Sequence, residues 1–128
     1  MAASPFTVLV VEDEPSVRDL ITDALGLEGY DVVQASDGVE AMRLLDANRP
    51  PPDRLCLVLL DMMMPRADGN SVLQYLATLN SYVPVVAMSA NRQLLATAAA
   101  AGAQEILPKP FDIDMLLGVV ERNCSHEP

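Results

Sequence analysis

The sequence predicts an α/β domain: a doubly wound parallel sheet of five strands with five helices. Three observations carry that expectation. Short, β-branched apolar runs recur without polar alternation, as suits strands buried on both faces. Segments between them repeat apolar residues with the period of a helix. The two kinds alternate strictly, strand then helix, which implies parallel strands, right-handed crossovers and helices on both faces.

The elements follow in order. Thr7–Val11 is the first strand. The helix after it has Pro15 just inside its start and Gly29 just past its end, with Val17, Leu20, Ile21, Ala24 and Leu25 on one stripe. Tyr30–Ala35 is the second strand, and VEAMRLLDA, from Val39 to Ala47, is the second helix. The triple proline Pro50–Pro52 then stiffens the approach to the third strand, Leu55–Leu60. Val72, Leu73, Leu76 and Leu79 mark the third helix, and Val83–Met88 is the fourth strand. Leu94, Leu95 and the alanines at 98–101 mark the fourth helix, which Gly102 ends. Glu105–Leu107 is a weaker fifth strand, and Met115, Leu116, Val119 and Val120 face inward from the last helix. The expectation is one domain over 1–128, its core about 6–122, with 1–5 and 123–128 (NCSHEP at the end) as tails.

Composition bounds the function. A chain of 128 residues that is 51% hydrophobic has enough apolar material for a core, which excludes global disorder. A net charge of −10 repels phosphate backbones and anionic lipid, so direct nucleic-acid or membrane-surface binding is disfavoured. Residues 69–91 carry no charge, but Gly69, Asn70, Gln74, Asn80 and Pro84 interrupt them and exclude a membrane span. The start, MAASPFTVLVVEDE, lacks a basic n-region, so a soluble, cytoplasmic protein is expected. Of the eight basic residues seven are arginine, and Lys109 is the one lysine. Cys56 reads as a small buried hydrophobe and Cys124 as part of the polar tail, with no disulfide framework and no metal spacing between them.

In open parallel sheets, ligands bind beyond the carboxyl ends of the strands. Those ends carry Glu12 and Asp13, Asp61, Ser89, and the Pro108–Lys109–Pro110 triplet, while Ser36 and Asp37 end the second strand to one side. Each type has a task if the substrate is a phosphoryl group. Three carboxylates at close quarters repel by about 4 kcal/mol per pair at an effective dielectric near 20, and a divalent cation relieves this. All-oxygen ligation suits Mg²⁺. A carboxylate beside that ion can attack phosphorus, while a lysine and a hydroxyl stabilise the charged oxygens. Plainer readings exist for each residue alone. Glu12–Asp13 suits a polar loop, Asp61 a turn before Pro65, and Ser89 a cap for the helix that starts near Asn91. Lys109 between two prolines resists such a reading, because it fixes an unpaired charge at a strand end. Convergence of all five on one edge decides for the functional reading.

The motifs VLVVEDEP at 8–15, LVLLDMMMPRADG at 57–69, VVAMSA at 85–90 and LPKPF at 107–111 resemble the receiver domain of two-component response regulators. The resemblance covers nearly the whole chain. It implies a flavodoxin-like sheet of order 2-1-3-4-5, Asp61 as phosphoacceptor, and Mg²⁺ held by Glu12, Asp13, Asp61 and the Met63 backbone carbonyl. It further implies Ser89 as the switch hydroxyl, Lys109 as the phosphate-pairing lysine, and a cis bond between Lys109 and Pro110. Ile106 stands where many members carry a Tyr or Phe that turns inward, so ring rotation is replaced here by backbone shifts of the fourth helix and fifth strand. Met63 and Asn91 flank the site where hydrolysis is tuned. A methionine cannot orient an attacking water, so a fairly long-lived acyl phosphate is expected.

The implied donor is a histidine kinase or a histidine phosphotransfer protein, because His126 is the only histidine and no phosphate-cradling glycine loop is present. The implied readers are a downstream effector protein or domain and, by resemblance alone, a homodimer partner, through a surface around 91–122. A dehalogenase-type phosphatase would need an acid two residues after its nucleophile, where this chain has Met63. A flavin carrier would want aromatic rings, and the chain has no Trp, three Tyr and two Phe. A pseudo-receiver that works without phosphorylation would be expected to lack a site residue, and none is missing. Whether the domain stands alone or belongs to a larger regulator or hybrid kinase stays open.

Overall fold

In the computed structural model, which describes residues 6–51, 53–64, 68–79 and 83–124, five parallel strands form one sheet in the order β2-β1-β3-β4-β5. The strands are β1 (Thr7–Val11), β2 (Asp31–Ala35), β3 (Leu55–Asp61), β4 (Val85–Ser89) and β5 (Glu105–Pro108). The helices are α1 (Pro15–Leu27), α2 (Gly38–Asp46), α3 (Gly69–Thr78), α4 (Arg92–Ala100) and α5 (Ile113–Asn123). The order and the strict alternation are those expected from the sequence. Among the described residues no helix is long and apolar enough to cross a membrane.

Alternation along each strand divides the core into two layers. Leu9, Val11, Val58, Leu60 and Ala87 face α2, α3 and α4, where Ala41, Leu45, Val72, Leu76, Leu95 and Ala98 meet them. Val8, Val10, Leu57, Leu59, Val86 and Met88 face α1 and α5, against Ile21, Leu25, Leu116, Val119 and Val120. Burial on both faces holds for the inner strands β1, β3 and β4. It fails at the edges. In β2, Asp31 and Gln34 are exposed, and in β5, Ile106 and Pro108 are exposed, because an edge strand has a neighbour on one side only.

Local chemistry sets the helix starts. Asp37, Asp68, Asn91 and Asp112 each accept a backbone N–H from the first turn of α2, α3, α4 and α5 respectively. Glu14 at the start of α1 provides no such bond, and Pro15 supplies a preset φ instead. Three large residues expected on inward stripes are exposed, as are the alanines at 99–101 of the fourth stripe. Leu20 is 51% exposed because the buried line of α1 runs through Ile21 and Leu25, a step of roughly 100° around the helix. Leu79 lies past the end of α3 as its C-cap, and Met115 sits in the first turn of α5 outside the Leu116–Val119–Val120 stripe.

The C-terminal reading needs correction. Asn123 is the last residue of α5 rather than the first of a tail, and its side-chain amide donates to Glu105 and to the Val119 carbonyl. Cys124 is buried, not solvated, and forms a disulfide with Cys56 across a Cα–Cα distance of 5.1 Å. The helix runs through Asn123, one residue past the expected end of the core, and Cys124 caps it close to the start of β3. Residues 1–5 and 125–128 of the expected tails 1–5 and 123–128, and Pro52 of the triple proline, lie outside the described residues.

Two glycines give opposite expectations. Gly69 opens α3 against the loop after β3, where an added Cβ would come within 2.8 Å of the Met62 Cα and closer still to its sulfur. Gly26, inside α1, faces open space. In urea denaturation Gly69→Ala is expected to lose about 1–3 kcal/mol through forced displacement of backbone. Gly26→Ala is expected to gain about 0.5–1 kcal/mol from helix propensity.

Candidate functional site

Parallel strands deliver their carboxyl ends to one edge, and the register fixes which residues meet there. Val11 pairs with Leu60, Asp61 with Met88, and Ser89 with Pro108, so the residues that follow or close these strands share one rim. The rim encloses an open cleft of about 720 Å³ lined by Glu12, Asp13, Glu14, Pro15, Asp61, Met63, Ser89, Ala90, Asn91 and Lys109. Every residue that the sequence analysis placed at the centre of the chemistry borders this cleft. Ser36 and Asp37 lie outside its lining, with Asp37 capping α2 and Ser36 bonded to Glu40. Ile106 is also outside it, half-exposed on the edge strand β5.

Carboxylate oxygens of Glu12, Asp13 and Asp61 come within 4.8 Å of one another. Glu12 and Asp61 are almost wholly buried, while Asp13 is exposed at the mouth. Lys109 lies over them. Its Nζ donates to Glu12 Oε1 at 2.8 Å and stands 3.6 Å from Asp61 Oδ2. The lysine is therefore not the unpaired charge that its two prolines suggested, since it bridges two buried acids. The Lys109–Pro110 bond is cis, and the Lys109 amide donates to the Ser89 carbonyl at 2.9 Å, which ties the lysine's backbone to the end of β4.

Backbone amides hold further polar atoms of Asp61, Glu12 and Ser89. Asp61 Oδ1 accepts from the Met63 N–H at 3.0 Å, and Glu12 Oε2 from the Glu14 N–H at 3.2 Å. Ser89 Oγ accepts from the Asn91 N–H at 2.9 Å, so the helix cap proper is Asn91, whose own oxygen takes the amides of Gln93 and Leu94. Two anchors escaped the sequence reading. Arg18 donates from Nη1 to the Glu12 carbonyl at 2.9 Å, clamping the loop from within α1, and the Met63 amide orients Asp61. Nothing in the sequence marks either, because both are contacts of the folded loops. Pro65, before which Asp61 was weighed as a turn residue, lies outside the described residues.

Electrostatics follow from burial. The Asp61 carboxyl is pushed up to about 7, first by burial and further by the charge of Glu12 and a side-chain hydrogen bond with Asp13. The Met63 amide and Lys109 pull the other way without cancelling it. Burial lowers the Lys109 ammonium, but its bond to Glu12 and the charges of Asp61 and Asp13 outweigh this and raise it. One ammonium thus serves three carboxylates. An all-oxygen donor set with excess negative charge fits a hard divalent cation such as Mg²⁺.

The comparisons agree with this geometry. A profile described as the response regulator receiver domain matches residues 8–121. The response regulator MprA of Mycobacterium sp. (strain KMS) is 39% identical over 115 residues, covering 88% of this chain and 48% of that protein. The chain thus spans about half the length of the curated relatives it matches. Among solved structures, the receiver domain of NtrX from Brucella abortus is similar at 32% identity and TM-score 0.80, covering 91% of this chain and 97% of that one. The chemotaxis protein CheY4 of Vibrio cholerae is similar at 25% identity and TM-score 0.80, covering 92% and 98%.

The raised Asp61 group makes stability depend on pH. Its proton is held more tightly in the folded chain (about 7) than at its ordinary value of 3.8. Its contribution is complete below the lower value and is lost as pH rises through the higher one. In chelator, Asp61→Asn is expected to raise the urea midpoint at pH 8 by the equivalent of about 2–4 kcal/mol. The gain should shrink steadily toward pH 4. A variant no more stable than the parent at pH 8 would show that the cluster carries no repulsion.

Proposed function

The chain belongs to the response regulator receiver domain family, and from that premise we propose that it accepts a phosphoryl group on Asp61 from a phosphohistidine and thereby switches a protein-binding surface. The observation that carries the proposal is the placement of Asp61. It is buried at the base of the cleft, 3.6 Å from the one lysine and within 4.8 Å of two further carboxylates.

The chemistry follows from the residues in place. An Asp61 oxygen attacks phosphorus as the bond to the donor nitrogen breaks; the electron pair of that bond stays on the nitrogen of a ring protonated at its other nitrogen, leaving an acyl phosphate on Asp61 and a neutral imidazole on the partner. The Met63 amide fixes Asp61 Oδ1 during that attack. Lys109 supplies a positive charge to the transferred oxygens, which take over part of the role that Glu12 and Asp61 now play for it. Ser89 accepts from Asn91 and so keeps its own proton to donate to the same oxygens. Glu12, Asp13, Asp61 and the Met63 carbonyl would hold Mg²⁺, whose charge neutralises the cluster and the phosphoryl oxygens.

The donor acts in trans. His126, the only histidine in the sequence, lies outside the described residues and at the far end of the chain from Asp61 in sequence, so a histidine kinase or phosphotransfer protein of the cytoplasm is the partner we assign. Added charge at Asp61 then biases the surface formed by α4, β5 and α5. Ile106 on β5 has no ring to rotate, so the response runs through Ser89 and the backbone that joins it to Lys109. The single domain is the switch, and effector domains or proteins read it.

Intact mass after incubation with a small-molecule phosphodonor tests the reading. With Mg²⁺, the chain is expected to gain one phosphoryl group, and Asp61→Asn to gain none. Lys109→Ala should bind Mg²⁺ yet lose at least tenfold in phosphorylation rate, roughly the cost of removing one preorganised charge contact. The adduct should persist for minutes or longer, since Met63 offers no group to orient a hydrolytic water. An adduct that forms equally on Asp61→Asn, or no adduct from either a small donor or a phosphohistidine protein, would overturn the assignment in favour of a binding module.

A further inference from the structure

Cys56 and Cys124 lie at the opposite end of the sheet from the cleft. Cys56 is the second residue of β3, and Cys124 is the C-cap of α5, held by its amide to the Val120 carbonyl at 2.8 Å. Both side chains belong to the α1–α5 core layer, and both are at most 2% exposed. Their Cα atoms are 5.1 Å apart, inside the range of roughly 4.4–6.8 Å that a disulfide spans. They bond across 68 residues of chain. The same last turn of α5 grips the edge of the sheet, because Arg122 and Asn123 both bond Glu105 of β5.

We propose that Cys56 and Cys124 form a reversible thiol–disulfide site that locks the last turn of α5 onto β3. The proposal is independent of the phosphoacceptor reading. Disulfides of intracellular proteins are commonly transient and redox-responsive. The two positions are also unequal. Cys124 caps the last turn of α5, where carbonyls lack intrahelical partners and fraying starts, whereas Cys56 is enclosed in the second position of an inner strand.

That asymmetry sets the order of events. With the last turn open, the Cys124 thiolate attacks a low-molecular-weight disulfide, forming a mixed disulfide and expelling one thiolate. The Cys56 thiolate then attacks Cys124 Sγ and expels the second. The protein's two thiols lose two protons and two electrons, and the small disulfide gains them to become two thiols. A dithiol reductant reverses both steps.

The test uses the full chain, reduced and then exposed to glutathione disulfide, with alkylation and intact mass as the readout. The expected product is a monomer lighter by two hydrogens with both alkylation sites gone. Its Tm should be higher by roughly 10 °C, and exchange of the 120–124 amides slower by roughly tenfold or more. A dithiol should restore both sites without denaturant. Cys56→Ala should stop at one glutathione adduct, on Cys124, and Cys124→Ser should take up none in the folded state. Glutathione adducts or cross-linked dimers in place of the internal bond would sink the proposal. So would thiols recovered only after unfolding, an equal adduct on Cys124→Ser, or an unchanged Tm. The measurements on the parent chain decide the matter even if a variant fails to fold.

Discussion

A single ammonium group holds the cleft together. Glu12, Asp13 and Asp61 bring three carboxylates into contact range, and among the described residues Lys109 is the cation paired with Glu12 and Asp61. Two of the acids are buried, where charge is costly and an uncompensated partner is costlier still. The deficit shows in Asp61, which burial and its acidic neighbours drive to about 7. A carboxylate cluster in that condition could hold a metal ion. The rest of the architecture serves to hold this imbalance in place. The β1, β3 and β4 ends fix the acids and Ser89, the Lys109 backbone is tied to β4, and Arg18 clamps the carbonyl of Glu12.

The core explains why the rim is firm. Each inner strand is buried on both sides, so a shift of one residue in register would send every side chain to the wrong layer. Asp61 and Ser89 are the last residues of their strands and inherit that constraint directly. The β5 end is less enclosed, and there the contacts of Glu105 with Arg122 and Asn123 add a second attachment.

Much of this was legible in the sequence because it depends on local pattern. The apolar runs located all five strands to within one or two residues, and Pro15, Gly29 and Gly102 marked helix boundaries. The cleft residues were legible for a different reason: parallel topology converts a position at a strand end into a position in space. What escaped was three-dimensional. Leu20 matched the stripe of α1 but sits just beside the band that touches the sheet. The polar letters around Cys124 hid the last residue of α5 and its cap, and no spacing rule reveals that residues 68 apart will meet. Lys109 looked unpaired because its partners, Glu12 and Asp61, are far away along the chain.

The sheet's two margins have a consequence for the company the protein keeps. β2 presents Asp31 and Gln34 to solvent, and β5 is short and closes on Pro108, a residue with no backbone donor. A sixth strand arriving at either margin would find a charged or truncated template, and edge-to-edge stacking of copies into ribbons is discouraged at both sides. Such a domain presents its sheet margins to solvent without an open template for strand addition. Contacts with other proteins are thereby left to the helices and loops.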